Sequence, residues 1–318
     1  SAAALATGEA WLATGSDMAG SVRLPASFCS VVGLRPSAGR VAHGPRPLLF
    51  SPLDLDGPMA RNVGDVALML DAMVGACAED PLALPAEAVP FIRAVDQPAA
   101  PRRVAWSPDL GVAPTDAEVR AICGRAVRSF EAVGATIEED CPDLREAEGA
   151  FQILRNMHRV AGTMDLLAEH RDSLSEEIVF YTERGLTASA RDLGRAELAR
   201  SALCQRMIEF FKRYDVLVTP TVIVPPFDVR QRHVMEVNGL TLPDYFAWLR
   251  LTLVISVTAC PAISVPCGFT ASGLPVGLQI IGRPRGDAEV LSAAALFEAQ
   301  HPYAARVPMD PHRPKTTL

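Results

Sequence analysis

The sequence predicts an α/β protein in which a mixed central β-sheet is flanked by helices on both faces. Strand-like runs at residues 103–107 and 135–138 enclose a helix with one apolar face, which is the order of a βαβ unit. Residues 148–213 contain few strand signals and many helix formers, which indicates a helical subregion inserted between sheet elements. Short apolar runs indicate further buried strands at 215–219, 263–265 and 276–281.

Local end signals mark three of the helices. The helix of the βαβ unit is expected to begin at a capping box formed by Thr115 and Glu118. A second helix is predicted at about residues 63–74, because its apolar positions form one face and Asn62 can cap its first turn. Asp287 is expected to cap the last helix of the chain.

The remaining segments are expected to be simpler. Residues 1–13 are rich in Ala and Leu and predict a helix, whereas residues 15–27 are rich in Gly and Ser and predict turns. Residues 31–41 predict short extended pieces, and the Pro- and Ala-rich residues 80–101 predict a surface connection. The polar tail, residues 308–318, is expected to be frayed.

The composition excludes several classes of function. The 318 residues are 49% apolar and 21% charged, with a formal net charge of −7, so a sizeable core is expected. There is no basic run, and the few aromatic residues are not interleaved with Lys or Arg, which argues against a nucleic-acid partner. No apolar run reaches the ~18 residues that a membrane-spanning helix needs, so no membrane association is expected.

The seven cysteines are scattered along the chain, and none forms a CxxC pair. This pattern favours buried free thiols over a disulfide framework or a zinc site, and it predicts a cytoplasmic location. The chain has no HExxH or comparable ligand spacing, so neither a metal nor a cofactor is expected. A homodimer is left open.

The segment from Gly15 to Ala26, GSDMAGSVRLPA, carries the strongest chemical signal. Small residues before Ser21 let the backbone turn tightly and direct several N–H groups into one concavity. Such a concavity can stabilise the oxyanion that forms when a serine attacks a carbonyl group. A Gly/Ser-rich turn is nevertheless more often a plain connection, so the motif alone leaves both interpretations open.

Four segments, in order along the chain, resemble the amidase-signature family of serine hydrolases. They are GSDMAGSVRLPASFCSVVGLRPSAGR (15–40), LDLDGPMARNVGDVALMLDAMVG (53–75), YDVLVTPT (214–221) and ACPAISVPCGFTASGLPVGLQIIGRP (259–284). The resemblance implies the amidase-signature fold for residues 1–318, with the helical subregion at about 148–213 as its divergent part. It also implies hydrolysis of a small-molecule amide through an acyl-enzyme.

The resemblance assigns roles to six residues. Ser21 matches the nucleophile, and the backbone amides of Met18, Ala19 and Gly20, with that of Ser21 itself, match the oxyanion hole. Ala19 stands where the family usually has Gly, and a positive φ angle there would cost about 1 kcal/mol. The neighbouring Asp17 and Arg23 match recurrent positions with a structural role.

The family activates its nucleophile through a serine on a cis peptide bond and a neutral, buried lysine. The resemblance places both residues before Ser1. The two lysines of the sequence, Lys212 and Lys315, do not match the catalytic one. Residues 1–318 are therefore expected to be the C-terminal two-thirds of a longer amidase, inactive when isolated; true loss of the base is the alternative.

Three functions are compatible with these features. The first is an amidase that converts a small carboxamide into a carboxylate plus ammonia or an amine. The second is the glutaminase subunit of a tRNA-dependent amidotransferase, and the third is a non-catalytic amidase-like protein. A Ser–His–Asp arrangement has no support, since no spacing ties any of the six histidines to Ser21. The substrate pocket is expected to be shaped by the helical subregion and residues 225–245.

Overall fold

The computed structural model describes residues 1–44 and 48–306, so the predicted frayed tail at 308–318 lies outside the described residues. The strands are β1 (Leu12–Asp17), β2 (Val32–Arg35), β3 (Leu55–Ala60), β4 (Arg103–Trp106), β5 (Thr136–Glu139), β6 (Val216–Pro220), β7 (Glu236–Val237), β8 (Leu240–Thr241), β9 (Ala262–Phe269) and β10 (Pro275–Ile281). The helices are α1 (Ala2–Ala6), α2 (Arg23–Phe28), α3 (Val63–Met73), α4 (Ile92–Asp96), α5 (Ala117–Ala126), α6 (Ala147–His170), α7 (Glu176–Leu186), α8 (Ala190–Phe210), α9 (Arg250–Ser256) and α10 (Asp287–Gln300).

Within the described residues, eight strands form one sheet in the order β1-β3-β2-β9-β10-β6-β4-β5. Strand β4 pairs in parallel with β5 and with β6, whereas the other pairs in the sheet are antiparallel. The prediction of a mixed sheet is therefore confirmed, and so is the βαβ unit formed by β4, α5 and β5. A crossover between neighbouring parallel strands places the intervening helix over one face of the sheet.

Two apolar clusters show that helices cover both faces of the sheet. Because successive side chains of a strand point to opposite faces, Val216 and Val218 join one cluster while Leu217 joins the other. The first cluster also contains buried residues of α3, α5 and α10. The second is covered by α6, α8 and α9, so the predicted helical subregion packs on one face only.

The predicted helix ends are partly wrong. Asn62 does cap α3, since its side chain accepts a hydrogen bond from the Asp65 amide. Helix α5, however, is capped by Asp116, whose carboxylate accepts from the Glu118 and Val119 amides, and not by the neighbouring Thr115. Aspartate is the stronger N-cap residue, and it stands one position nearer to the helix.

Asp287 is also not a cap. It is the first residue of α10, and its buried carboxylate accepts a hydrogen bond from the Ser37 amide at 2.7 Å and lies 3.4 Å from Arg40 Nε. The side chain therefore connects α10 to the segment after β2. Without these partners, burial of the carboxylate would lower the stability of the fold.

The largest correction concerns the N-terminal segment. The predicted helix over residues 1–13 ends at Ala6, and residues 12–17 form strand β1 instead. Strand β1 pairs along its whole length with β3, from Leu12 opposite Ala60 to Asp17 opposite Leu55. Pairing with a distant partner thus overrides the weak strand propensity of this Gly- and Ser-containing segment.

The predicted turn-rich stretch also contains the short helix α2. Pro25 is tolerated there because it lies in the first turn, where backbone amides have no partner within the helix. The turn that remains is residues 18–22, between the end of β1 and the start of α2.

Candidate active site

Ser21 lies in this short turn, at the surface of the protein. Strand β1 brings the chain to Asp17, and α2, which packs against β9 and β10, carries it away. The Ser21 hydroxyl makes no hydrogen bond to any residue within 1–44 and 48–306. The side chain is therefore accessible to a ligand approaching from outside.

The fully buried Asp17 holds the backbone of the turn in place. Its carboxylate accepts hydrogen bonds from the backbone amides of Gly20 at 2.8 Å and Val22 at 3.3 Å, and from Arg23 Nε and Nη2 at 2.9 Å. Burial alone would raise the pKa of Asp17, but the charges of Arg23 and Arg35 and these hydrogen bonds lower it to about 2. Asp17 is therefore ionised at neutral pH, and the backbone of the turn is folded around its carboxylate.

Arg23 is also fully buried and links the turn to distant parts of the chain. Its Nη1 donates to Gln279 Oε1 at 2.6 Å and to the Thr252 carbonyl at 3.1 Å, and its Nη2 donates to Ser256 Oγ at 2.7 Å. A buried guanidinium is tolerated only when its charge and its N–H groups find partners, as they do here. The structural role predicted for Asp17 and Arg23 agrees with this geometry.

The peptide between Ala19 and Gly20 is held on both sides. Thr252 Oγ1 donates to the Ala19 carbonyl at 2.6 Å, while the Gly20 amide donates to Asp17. Gly20 has a φ angle of 122°, and a Cβ atom there would lie 2.3 Å from Thr252 Oγ1. Glycine is therefore required at this position, both for the backbone conformation and for the close approach of Thr252.

The predicted oxyanion donors now divide into two groups. The Gly20 amide is already bonded to Asp17, whereas the amides of Met18, Ala19 and Ser21 have no hydrogen-bond partner among the described residues. Ala19 does not have a positive φ angle, so the strain considered for an alanine at this position does not arise. The turn thus offers three unbonded amides as possible donors to a carbonyl oxygen and an exposed hydroxyl as a possible nucleophile for its carbon.

A cleft of about 680 Å³ opens in the region expected to form the substrate pocket. It is lined by α7, the residues just before it and the loop at 232–245, with Tyr181, His233 and Tyr245 among its walls. Ring contacts connect it to α2: Phe28 stacks on Trp248 at 6.3 Å between ring centroids, and Trp248 contacts the edge of Tyr245 at 6.3 Å. A series of packed rings therefore connects the helix after Ser21 to Tyr245, which lines the cleft.

No lysine in the described part of the chain is placed to activate Ser21. Lys212 is exposed and paired with Glu209, and Lys315 lies outside the described residues. Residues 1–44 and 48–306 also contain no group of three or more His, Cys, Asp or Glu side chains that could hold a metal ion. Across the same residues, no helix combines the length and apolar character needed to cross a membrane.

Sequence reasoning missed the residues that brace the turn from a distance, namely Arg35, Thr252, Ser256 and Gln279. Arg35 donates to the Asp17 carbonyl and to the Leu53 carbonyl, the latter at 3.0 Å. The available signal was a set of polar residues within otherwise apolar segments, and such residues need a buried partner. Which partner they meet is decided only by the tertiary fold.

The comparisons with known proteins agree with the fold and the motif. Residues 1–291 match the Amidase family. The acylamidase of Rhodococcus erythropolis is 37% identical over 310 residues, which cover 97% of this chain and 65% of that protein. A glutamyl-tRNA(Gln) amidotransferase subunit of Moorella thermoacetica is 33% identical over 341 residues, which cover 96% of this chain and 66% of that protein.

Among solved structures, a bacterial aryl acylamidase of the amidase signature family aligns with a TM-score of 0.88 at 27% identity, covering 99% of this chain and 67% of that one. The chain thus spans about two-thirds of the length of the curated relatives it matches. The match of the Amidase family to residues 1–291, together with this structural agreement, shows that the chain belongs to the amidase-signature family.

Proposed function

We propose that this chain carries the nucleophile of an amidase, and that Ser21 attacks the carbonyl carbon of a small carboxamide. The single observation that carries the proposal is the exposed, unbonded Ser21 hydroxyl beside the unbonded amides of Met18, Ala19 and Ser21. These amides would stabilise the negative charge that develops on the carbonyl oxygen. Gly20 would serve mainly through its conformation, because its own amide is bonded to Asp17.

The reaction would follow two steps. Ser21 Oγ bonds to the carbonyl carbon as a base takes its proton, and the C–N bond then breaks as the nitrogen receives a proton and leaves as ammonia or an amine. Water next attacks the ester to Ser21, which releases the carboxylate and regenerates the hydroxyl. We assign the base to a serine–lysine relay outside these 318 residues, because the resemblance implies one and Lys212 is committed to Glu209 at the surface.

The runner-up is the glutaminase subunit of a tRNA-dependent amidotransferase. The name of the Moorella thermoacetica relative favours it, whereas the higher identity of the Rhodococcus erythropolis acylamidase favours a free-standing amidase. The two differ in their substrates. In a protein that includes the relay, release of aniline from acetanilide without release of ammonia from glutamine supports the amidase, and the opposite pattern supports the glutaminase.

Covalent labelling tests the nucleophile. We expect a fluorophosphonate to label Ser21 in a protein that includes the proposed serine–lysine relay, and Ser21→Ala in that protein to abolish the labelling. Ser16→Ala is the matched control, because Ser16 is exposed on β1 five positions earlier and has no assigned role. Labelling that persists in Ser21→Ala contradicts the assignment, and absence of labelling in the unsubstituted protein that includes the relay favours the non-catalytic alternative.

A further inference from the structure

Arg155, in the middle of α6, has a half-buried guanidinium whose two nearest partners are aromatic rings. The guanidinium carbon lies 4.4 Å from the ring centre of Tyr181 and 4.8 Å from that of Phe246. Among the described residues it has no ion pair or hydrogen bond, and its Nη1 is buried without a partner. Burial lowers the pKa of Arg155, and the charge of Arg159 acts in the same direction.

Further hydrogen-bond donors surround the same position. The hydroxyls of Tyr181 and Tyr245 make no hydrogen bond within the described residues, and both side chains line the cleft. Burial raises the pKa of both tyrosines, while the nearby charge of Arg155 lowers it. His233, whose Nδ1 is also buried without a partner, contacts the Tyr245 ring at 5.6 Å and lines the cleft as well.

The acid whose charge acts on all three side chains is already engaged. Glu177 affects the pKa of Arg155, Tyr181 and Tyr245, but its carboxylate is bonded to Arg232 at 2.8 Å. A partly desolvated guanidinium without an anion is unfavourable, and an anionic ligand would remove that cost.

The geometry also selects the shape of the anion. Tyr181 lines the cleft and its ring contacts the guanidinium, whereas Arg155 itself lies behind the lining residues. A carboxylate would therefore have to reach the N–H edge of Arg155 beside the Tyr181 ring, and that edge matches the two oxygens of a carboxylate. The tyrosine hydroxyls can donate to the same oxygens. The packed rings of Phe28, Trp248 and Tyr245 connect this position to the helix after Ser21.

We propose that Arg155, Tyr181 and Tyr245 form a subsite for a carboxylate carried by the amide substrate. The proposal deepens the proposed function and rests on it, because it takes the cleft to be the substrate pocket. Among the small carboxamides of the proposed function, it names those that also bear a carboxylate group as the preferred substrates.

Equilibrium binding without turnover tests the subsite. The protein is prepared as Ser21→Ala, and calorimetry measures Kd for 4-carbamoylbenzoate and for terephthalamide, its uncharged counterpart of the same shape. We expect the carboxylate to bind about tenfold more tightly or better, as for a charge-assisted hydrogen bond. Equal affinities for the two compounds overturn the proposal.

Variants then show which residues cause the preference for the carboxylate compound. Arg155→Met is expected to reduce the ratio of the two Kd values to about one. Arg155→Lys should keep part of the preference, because lysine retains the positive charge but cannot donate two parallel N–H bonds to the carboxylate. Arg159→Met is the matched control one turn along α6, and it should keep the full preference. If Arg155→Met does not fold by circular dichroism, Tyr181→Phe removes only a hydroxyl and should lower the preference about threefold or more.

Two results overturn the subsite: a preference that survives both Arg155→Met and Tyr181→Phe, or one that is lost equally in Arg159→Met. The outcome is independent of the nucleophile assignment. A carboxylate preference in a protein that fluorophosphonate does not label at Ser21 keeps the subsite and rejects the nucleophile. Labelling without the preference keeps the nucleophile and rejects the subsite.

Discussion

Replacement of Gly20 by alanine is expected to disable the turn around Ser21. The new Cβ atom would lie 2.3 Å from Oγ1 and 2.6 Å from Cβ of Thr252. The φ angle of 122° is also one that side-chain-bearing residues rarely adopt. Backbone strain of ~1–3 kcal/mol and overpacking of similar size together predict that the free energy of unfolding falls by about 2–6 kcal/mol.

The same change should affect reactivity more than stability. Thr252 has to move about 1 Å before its contact with the new methyl group becomes ordinary, and this movement breaks the hydrogen bond to the Ala19 carbonyl. A displacement of 1 Å in a catalytic group costs about 100-fold in rate. The assay is the rate of fluorophosphonate labelling at Ser21, with the unfolding temperature measured on the same samples.

Gly75→Ala is the matched control. Gly75 has a φ angle of 141°, yet nothing lies within 4 Å of a Cβ atom at that position, so this variant suffers backbone strain alone. It should lose stability and keep its labelling rate. Adding Thr252→Ala to Gly20→Ala removes two of the three clashing atoms and should restore part of the lost stability. Equal labelling rates for Gly20→Ala and Gly75→Ala would refute the reasoning.

Two further predictions concern pH. Because the pKa of Asp17 is lowered to about 2 in the folded protein, its ionised form stabilises the fold above about pH 4, and this contribution disappears as the pH falls towards 2. Asp17→Asn should therefore lower the free energy of unfolding, measured by urea at pH 6, by about 3–5 kcal/mol. The difference in unfolding free energy between the variant and the parent should become smaller below pH ~3, and a difference that stays constant contradicts the prediction. Burial raises the pKa of Glu298 to about 7, although the Val63 amide donates to it, so its ionisation should destabilise the fold as the pH rises from about 4.5 to about 7. The stability advantage of Glu298→Gln over the parent should therefore increase from pH 5 to pH 8. Unfolding temperatures of both proteins at the two pH values show whether the difference changes in this direction.

Local patterns predicted the elements that are determined locally. The βαβ unit at residues 103–139 was identified because apolar periodicity and Gly134 act within one short segment, and Gly134 does end the helical stretch with a left-handed φ of 90°. Strand β1 was missed because it depends on pairing with β3, more than forty residues later, as shown by Leu12 opposite Ala60. The error about Thr115 came from adjacent polar residues that compete for one cap, of which Asp116 forms it.

The candidate active site also has one part that is determined locally and one that depends on the tertiary fold. Ser21 and the amides around it lie in one continuous segment, so a motif could indicate them, although their catalytic role stays a prediction. The residues that hold this segment in place could not be inferred, because Thr252 and Gln279 become neighbours of Arg23 only in the folded chain. Arg155 gave no sequence signal at all, since an arginine on an amphipathic helix is ordinarily exposed to solvent.

The sheet order has a consequence for biosynthesis. Strand β2, made early, pairs with β9, which begins at Ala262, and Arg23 finds its partner Gln279 only 256 residues further along. A nascent chain therefore leaves the ribosome with Asp17 and Arg23 already made but without the residues that enclose them. Long-range pairing of this kind slows folding, so the turn around Ser21 should become ordered only after the last third of the chain has been synthesised.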